Sequence, residues 1–199
     1  MFFYHEFSED RHVPVFTDCR IFHKKIPGAS PVVIFSKKGQ LVNFEDHITA
    51  FQSISRLTVE TIRLRDFDFQ APSRPPEANA EVKEKKVFYN IYDYPGYLDD
   101  EPTAFRLGEV RLERETWKKR TFKGEGVCRM LTPGHTFTLT DHPRPDYDAE
   151  YTVVSVIHQG RQPQVMRELE GSDEGTTYGN TFTCIPKDVE FRPDAVKKP

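Results

Sequence analysis

The chain has 199 residues, a formal net charge of -3, 30% charged residues and a mean hydropathy of -0.64. That length can bury a core in one large or two small domains. Acidic and basic residues are mixed throughout, which excludes the basic stripe of a nucleic-acid-binding surface, and no run approaches the roughly 18 apolar residues of a membrane-spanning helix.

From the start, Phe2 to Phe7, a polar Ser8–Arg11 turn and His12 to Thr17 predict a β-hairpin. The opening Met1-Phe2-Phe3-Tyr4 has neither the basic region nor the cleavage site of a signal peptide. Asp18 to Ser36 reads as a connecting loop, punctuated by Pro27-Gly28 and Pro31, with a short apolar run at Val32–Phe35. Leu41 to Phe51 is a strand candidate, and Leu57 to Phe69 is the longest one. Its apolar parity slips: Leu57 and Val59 share one face, Ile62 and Leu64 the other, and Phe67 and Phe69 return to the first. Strict alternation admits no such slip, so a bulge or strong bend is expected. Ala71 to Lys86 reads as a solvated linker, with three prolines and almost no apolar side chain after them.

Val87 to Tyr94 is dense in aromatic and β-branched residues and predicts a strand, stopped by Pro95-Gly96. Asp99-Asp100-Glu101-Pro102 then places negative charge and a proline where a helix begins. Phe105, Leu112 and Trp117 follow at helical spacing, which predicts one amphipathic helix over about 103–118. Thr136 to Thr140 alternates cleanly, Pro143 to Asp148 turns the chain, and Tyr151 to His158 is apolar on both faces, as in a strand buried between layers. Gln159 to Gly179 is charged and Gly-rich and reads as a surface excursion. Thr181 to Ile185 is the last strand before a proline-containing tail. Phe137, Leu139, Val154, Val156 and Phe182 are the expected core. Sixteen Phe and eight Tyr against one Trp, with fifteen Pro, favour strands and turns over a helix bundle. The residues alone therefore indicate a mainly β (α+β) fold, a largely antiparallel barrel with one principal helix and a flanking hairpin region.

The search for chemistry yields few candidates. Cys19, Cys128 and Cys184 are odd in number and far apart, as expected of thiols in a reducing compartment. Cys19-x-x-x-His23 is the only close Cys/His pair, and Lys24-Lys25 beside it would repel a cation. Cys128, His135, His142 and Cys184 lack the paired spacing of a structural zinc site. Asp66-Phe67-Asp68 places two carboxylates on one strand face, about 7 Å apart from the strand rise. Without a third ligand or a glycine-rich loop, their expected partners are Arg63 and Arg65. Asp93, ahead of Pro95-Gly96, reads as a turn former. No Gly-x-Ser-x-Gly, phosphate loop or His-Glu-x-x-His occurs, and Gly124-x-Gly126 precedes a strand rather than a helix. No catalytic, cofactor-binding or metal-binding residue is assigned.

Several elements together resemble one family. Leu64-Arg65-Asp66-Phe67-Asp68-Phe69-x-x-Pro72 is similar to its Asp-Tyr-Asp-Phe element, with Phe67 in place of tyrosine. Tyr92-Asp93-Tyr94-Pro95-Gly96, then Arg111-Leu112-Glu113, Gly124-x-Gly126 and Arg129-Met130-Leu131-Thr132-Pro133-Gly134-His135-Thr136-Phe137 follow in order. Asp141-His142-Pro143, Tyr178-Gly179-Asn180-Thr181-Phe182 with Ile185-Pro186, and Phe191-Arg192-Pro193 complete the run. This order resembles the valine-glycine repeat protein G (VgrG) spike proteins of type VI secretion. The resemblance implies a structural, non-enzymatic part of a contractile injection spike, similar to the phage tail hub, whose two related barrels let a threefold hub sit on a sixfold tube. The alternatives are the hub of a contractile phage or phage-like particle and, from another class, a hydrolase using Asp66, Asp68 or Asp93.

The implied partners are two further copies in a homotrimer, the haemolysin-coregulated-protein hexamer of the inner tube, and effectors or a tip protein carried through other parts. No cofactor, nucleic acid or stable membrane insertion is implied. Assembly is expected in the bacterial cytoplasm, followed by translocation into the medium or a target cell. The expected organisation is a connecting region at 1–55, a second hub-like barrel with the inserted helix at 56–192, and an interdomain tail at 193–199. A natural amino terminus could open on such a hairpin, but the resemblance implies a first barrel and a helix ahead of it, so a fragment of a longer protein is the expectation.

Overall fold

The computed structural model describes residues 2–7, 10–27, 32–36, 46–83, 89–98, 101–161 and 177–194. The fold is mainly β, in two compact units. One is formed by Phe3–Ile54 and Thr121–Val189. It holds a two-stranded sheet, β1 (Phe2–Phe7) with β2 (His12–Thr17), and a closed barrel. The barrel strands are β3 (Val32–Phe35), β4 (His47–Ser55), β8 (Arg120–Gly126), β9 (Thr136–Thr140), β10 (Glu150–Arg161) and β11 (Thr177–Pro186), in the order β10-β11-β8-β4-β3-β9. β10 runs antiparallel to β9 and β11, and β11 antiparallel to β8, whereas β3 lies parallel to both β4 and β9. Two strands of the barrel thus come from the region expected to be only a connector, so the barrel does not begin at residue 56.

Aromatic side chains fill the barrel, as the interior of a narrow barrel requires. Phe51, Phe122, Phe137, Tyr151 and Phe182 interlock: Phe51 stacks on Phe122 at 5.1 Å between centroids, and Tyr151 meets Phe122 edge-on at 4.9 Å. The one hydroxyl in this group is satisfied, because Tyr151 Oη donates to the Tyr147 carbonyl at 2.8 Å. Phe137, Leu139 and Phe182 are buried as expected, but Val154 and Val156 are only half-buried. The pairing of β10 with β11 shifts between Val153 and Ser155. That bulge absorbs Val154 and makes Val153 the core residue. Nor is β10 buried on both faces throughout: Tyr151, Thr152 and Val153 are, while Ile157 is 63% exposed.

The second unit, Ser55–Arg120 with Met1–Phe2 and Glu190–Pro199, is a small sheet covered by a helix. β5 (Thr61–Arg65) lies between β6 (Glu77–Glu81), antiparallel, and β7 (Asn90–Asp93), parallel. Ile62, Leu64, Ala78 and Ala80 meet Ala104 and Leu112 of α1 (Glu101–Thr116). Gly108 rests against Ala78 and Ala80, where an added Cβ would stand 3.5 Å from each of their Cβ atoms. Small residues on both sides let the helix approach the sheet closely. The helix therefore belongs to this unit rather than to the barrel, and Phe105, 57% exposed, lies off its core face.

Three further expectations change here. The long strand at 57–69 reduces to β5, so its parity slip marks strand ends rather than a bulge; Leu57 and Phe69 lie in flanking loops and are exposed. The linker at 71–86 contains β6, whose buried alanines are too small to register as an apolar stripe. The tail is tied down: Phe191 packs on Trp117 at 5.0 Å between centroids, Arg192 pairs with Glu113 at 2.7 Å, and Lys118 pairs with Asp194 at 2.6 Å. Residues 41–45, 84–88, 162–176 and 195–199, which carry parts of the expected strands, linker, excursion and tail, lie outside the described residues. The ends of the excursion at 159–179 belong to β10 and β11.

Candidate functional site

The motifs at 64–69 and 92–96 meet at one end of the sheet–helix unit. Past β5, Asp66 takes backbone hydrogen bonds from Phe67 N at 2.9 Å and Leu98 N at 3.2 Å, and Asp68 takes one from Gln70 N at 2.8 Å. Both carboxylates cap loops and neither lies on a strand. Their expected partners do not meet them: Arg65 pairs with Glu77 at 3.2 Å. Asp93, at the end of β7, forms an ion pair with Arg111 of α1, whose guanidinium also reaches the Gly96 carbonyl at 3.5 Å. Gly96 fits because any Cβ there would press within 3.1 Å of Leu64. The Asp-Tyr-Pro-Gly and Arg-Leu-Glu motifs are thus two halves of one brace across the unit.

The carboxylates are spent on backbone N–H groups and on arginine, and no nucleophile–base pair lies beside them among the described residues. What the loops present outward is aromatic: Phe67 is 46% exposed, Phe69 88%, Tyr92 62%, Tyr94 57% and Tyr97 75%. Phe67 and Phe69 touch edge-on with centroids 5.0 Å apart. Exposed aromatic groups on braced loops are typical of contact surfaces.

The Phe67 N–H bond holds the Asp66 carboxyl below the usual aspartate range; burial opposes it, and the weaker bonds from Leu98 and Tyr97 add to it. A carboxylate whose folded pKa is depressed adds stability above its unfolded pKa and loses it as pH falls through the folded value. Asp66→Ala is therefore expected to lower the denaturant midpoint at neutral pH, with the gap to wild type closing in acid. A gap independent of pH would mean that packing, not the charge, is what Asp66 supplies.

The thiols and imidazoles do not assemble. Burial pushes the Cys184 thiol well up and the Cys128 thiol up, and His23 donates Nδ1–H to the Gly134 carbonyl at 2.7 Å. No group of three or more His, Cys, Asp or Glu able to hold a metal occurs among the described residues. The barrel unit has a cleft of about 590 Å³ lined in part by Arg20, His23, Thr152, Glu150 and Lys187. Its charges are engaged: Lys187 pairs with Glu150 at 2.8 Å, and Arg20 donates to the Asp188 carbonyl. No helix among the described residues is long and apolar enough to cross a membrane.

The family model for the phage tail baseplate hub (GPD) matches residues 1–164. The chain belongs to the phage tail baseplate hub family. Among curated relatives, this hub chain is 29% identical to the type VI secretion system spike protein VgrG2a of Pseudomonas aeruginosa, over 99% of its own length and 24% of that protein. It is 26% identical to the actin cross-linking toxin VgrG1 of Vibrio cholerae, over 95% of its length and 17% of that protein. The hub chain thus spans about a quarter or less of these relatives. Its fold is shared with the 43 kDa tail protein of prophage MuSo2 from Shewanella oneidensis, with a TM-score of 0.54 and 10% identity, covering 84% of this chain and 48% of that one.

Arg111 and Glu113 were legible as motif residues but not as the partners of Asp93 and Arg192. Nothing in the spacing points to either pair, which only the packing of α1 brings together.

Proposed function

We propose that this hub chain is a structural part of a contractile injection spike of the type VI kind, joining the spike to the inner tube, with no enzymatic role of its own. Its likeness to spike proteins over nearly its whole length carries this reading, and the presence in one chain of a closed barrel and a braced sheet–helix unit supports it. In this reading the barrel is the second of two related hub barrels, three copies surround the axis, and the chain assembles in the bacterial cytoplasm before translocation. The tube protein seated on it is a hexamer of the haemolysin-coregulated kind, and effectors travel on other parts of the polypeptide. The toxin named among the relatives covers far more sequence than is matched here, and the carboxylates of this chain are committed to loops and arginine, which favours a non-catalytic segment.

The test is genetic. Deleting the codons for residues 1–199 from the gene that carries them should abolish release of the inner-tube protein into the medium; unchanged release would overturn the proposal. The hub of a phage-like particle is a second reading, favoured by the baseplate-hub family match and the prophage tail neighbour. Loss of tailed particles, with no effect on tube-protein secretion, would select it.

A further inference from the structure

The hairpin of β10 and β11 continues past the strands that flank it in the barrel. β10 pairs with β11 from Tyr151 to Arg161, but β9 accompanies β10 only over Glu150–Thr152. The next residue, Val153, exchanges backbone hydrogen bonds with Gly134 and His135, each 2.9 Å. On the other side, β8 accompanies β11 only from Asn180 to Cys184. From Ser155 to Gly160 the outer edge of β10 therefore carries no backbone partner among the described residues.

This edge lacks the usual protection. No charged residue occurs from Tyr151 to Gly160, whereas β6, an edge strand of the other unit, carries Glu77 and Glu81. Long uncharged edges rich in β-branched residues pair with other chains. The arm is also held ready for such pairing. Asn180 Nδ2 donates to the Cys128 carbonyl at 2.5 Å and to Tyr178 Oη at 3.2 Å. Tyr178 Oη donates to His158 Nδ1 at 2.5 Å, and His158 Nε2 donates to the Leu131 carbonyl at 3.1 Å. This relay anchors the strand in extended form before any partner arrives, which lowers the ordering cost of association.

One other sheet-edge strand has the same character. β2 (His-Val-Pro-Val-Phe-Thr) is uncharged, belongs to a sheet of only two strands, and leaves Val13 45% and Phe16 64% exposed. A lone two-stranded hairpin is marginal in water and gains from a third strand. Pro14 is compatible with an edge position. We propose that the outer edge of β10 at Ser155–Gly160 receives β2 of a second copy of this chain by strand addition. The two edges are different surfaces of one chain, so the contact is heterologous and can close into a ring, whereas β10 on β10 would stop at a dimer. The inference rests on the reading of the chain as part of a multi-copy hub.

Cysteine trapping tests it. In a Cys19→Ser background, one chain carries Val13→Cys and another carries, in turn, Ser155→Cys, Ile157→Cys or Gln159→Cys, which samples the register. Mild oxidation of the mixture should give a disulfide-linked dimer that is absent from either variant alone, and the chain carrying both cysteines should give a ladder. A dimer from the β10 variant alone, or no link in any mixture, would overturn the proposal. Light scattering without oxidant separates the two readings: self-association with no β2–β10 link keeps the hub and removes this contact. Unchanged circular dichroism, expected because Val13 and Ile157 are exposed, shows that each variant is folded.

Discussion

Replacing Phe137 with alanine is expected to lower the unfolding free energy by about 3–5 kcal/mol. Phe137 is 1% exposed and packs on Tyr151 and Phe182, with centroids 5.7 and 5.8 Å away. Removing the ring forfeits its transfer from water and leaves a void walled by aromatic groups. Those walls cannot close on the void, because each is held on a paired strand: Tyr151 stands opposite Phe137 itself, and Phe182 opposite Gly124. The cost should appear as a lower denaturant midpoint at constant slope. A change below about 1 kcal/mol would mean that the barrel collapses around the gap and that its core is not the rigid cluster described above.

The opposite change at the opposite wall should also be costly. A Cβ at Gly124 would stand 2.2 Å from Cζ of Phe182 and within 2.9 Å of two further ring atoms. No small adjustment resolves that overlap, because Phe182 is itself buried. Gly124→Ala is therefore expected to cost about 1–3 kcal/mol through overpacking. The mechanism predicts its own partial remedy. With Phe182→Leu in place the alanine has room, so the double variant should be more stable than the sum of the single effects allows, by about 0.5–3 kcal/mol of coupling. Additive effects would show that the glycine is needed for backbone freedom rather than for space.

These two positions show how closely the barrel interior is occupied. The barrel interior is filled with interlocked aromatic rings. The sheet–helix unit commits its carboxylates in the same way. The sequence favoured arginine partners for Asp66 and Asp68 and a turn role for Asp93 over an acid role; backbone capping holds the first two and Arg111 the third. Where this chain presents chemistry to the outside, it does so with aromatic side chains on braced loops and with an uncharged strand edge.

Much of this was legible in local pattern. Thr136–Thr140 alternates because one of its faces meets the core, and Glu101-Pro102 opens a helix because proline tolerates the first turn. The ordered motifs from Asp66 to Pro193 pointed to the family. Period and turn chemistry act over a few residues, so they survive in the sequence as patterns that can be read directly.

Local pattern was therefore enough to read the mainly β character, one principal helix, several core positions and the family. Which strands close the barrel is a matter of packing, since β3 and β4 join β9 and β8 across long separations that no short period records. Packing also decided that Val153 rather than Val154 enters the core, because a bulge reverses parity without any change in composition. Two alanines and one glycine became a helix seat because small side chains carry little apolar signal but permit close approach. The brace of Asp93 on Arg111 likewise exists only once the helix lies on its sheet, because an ion pair depends on the distance between charges in space, and separation along the chain does not set that distance.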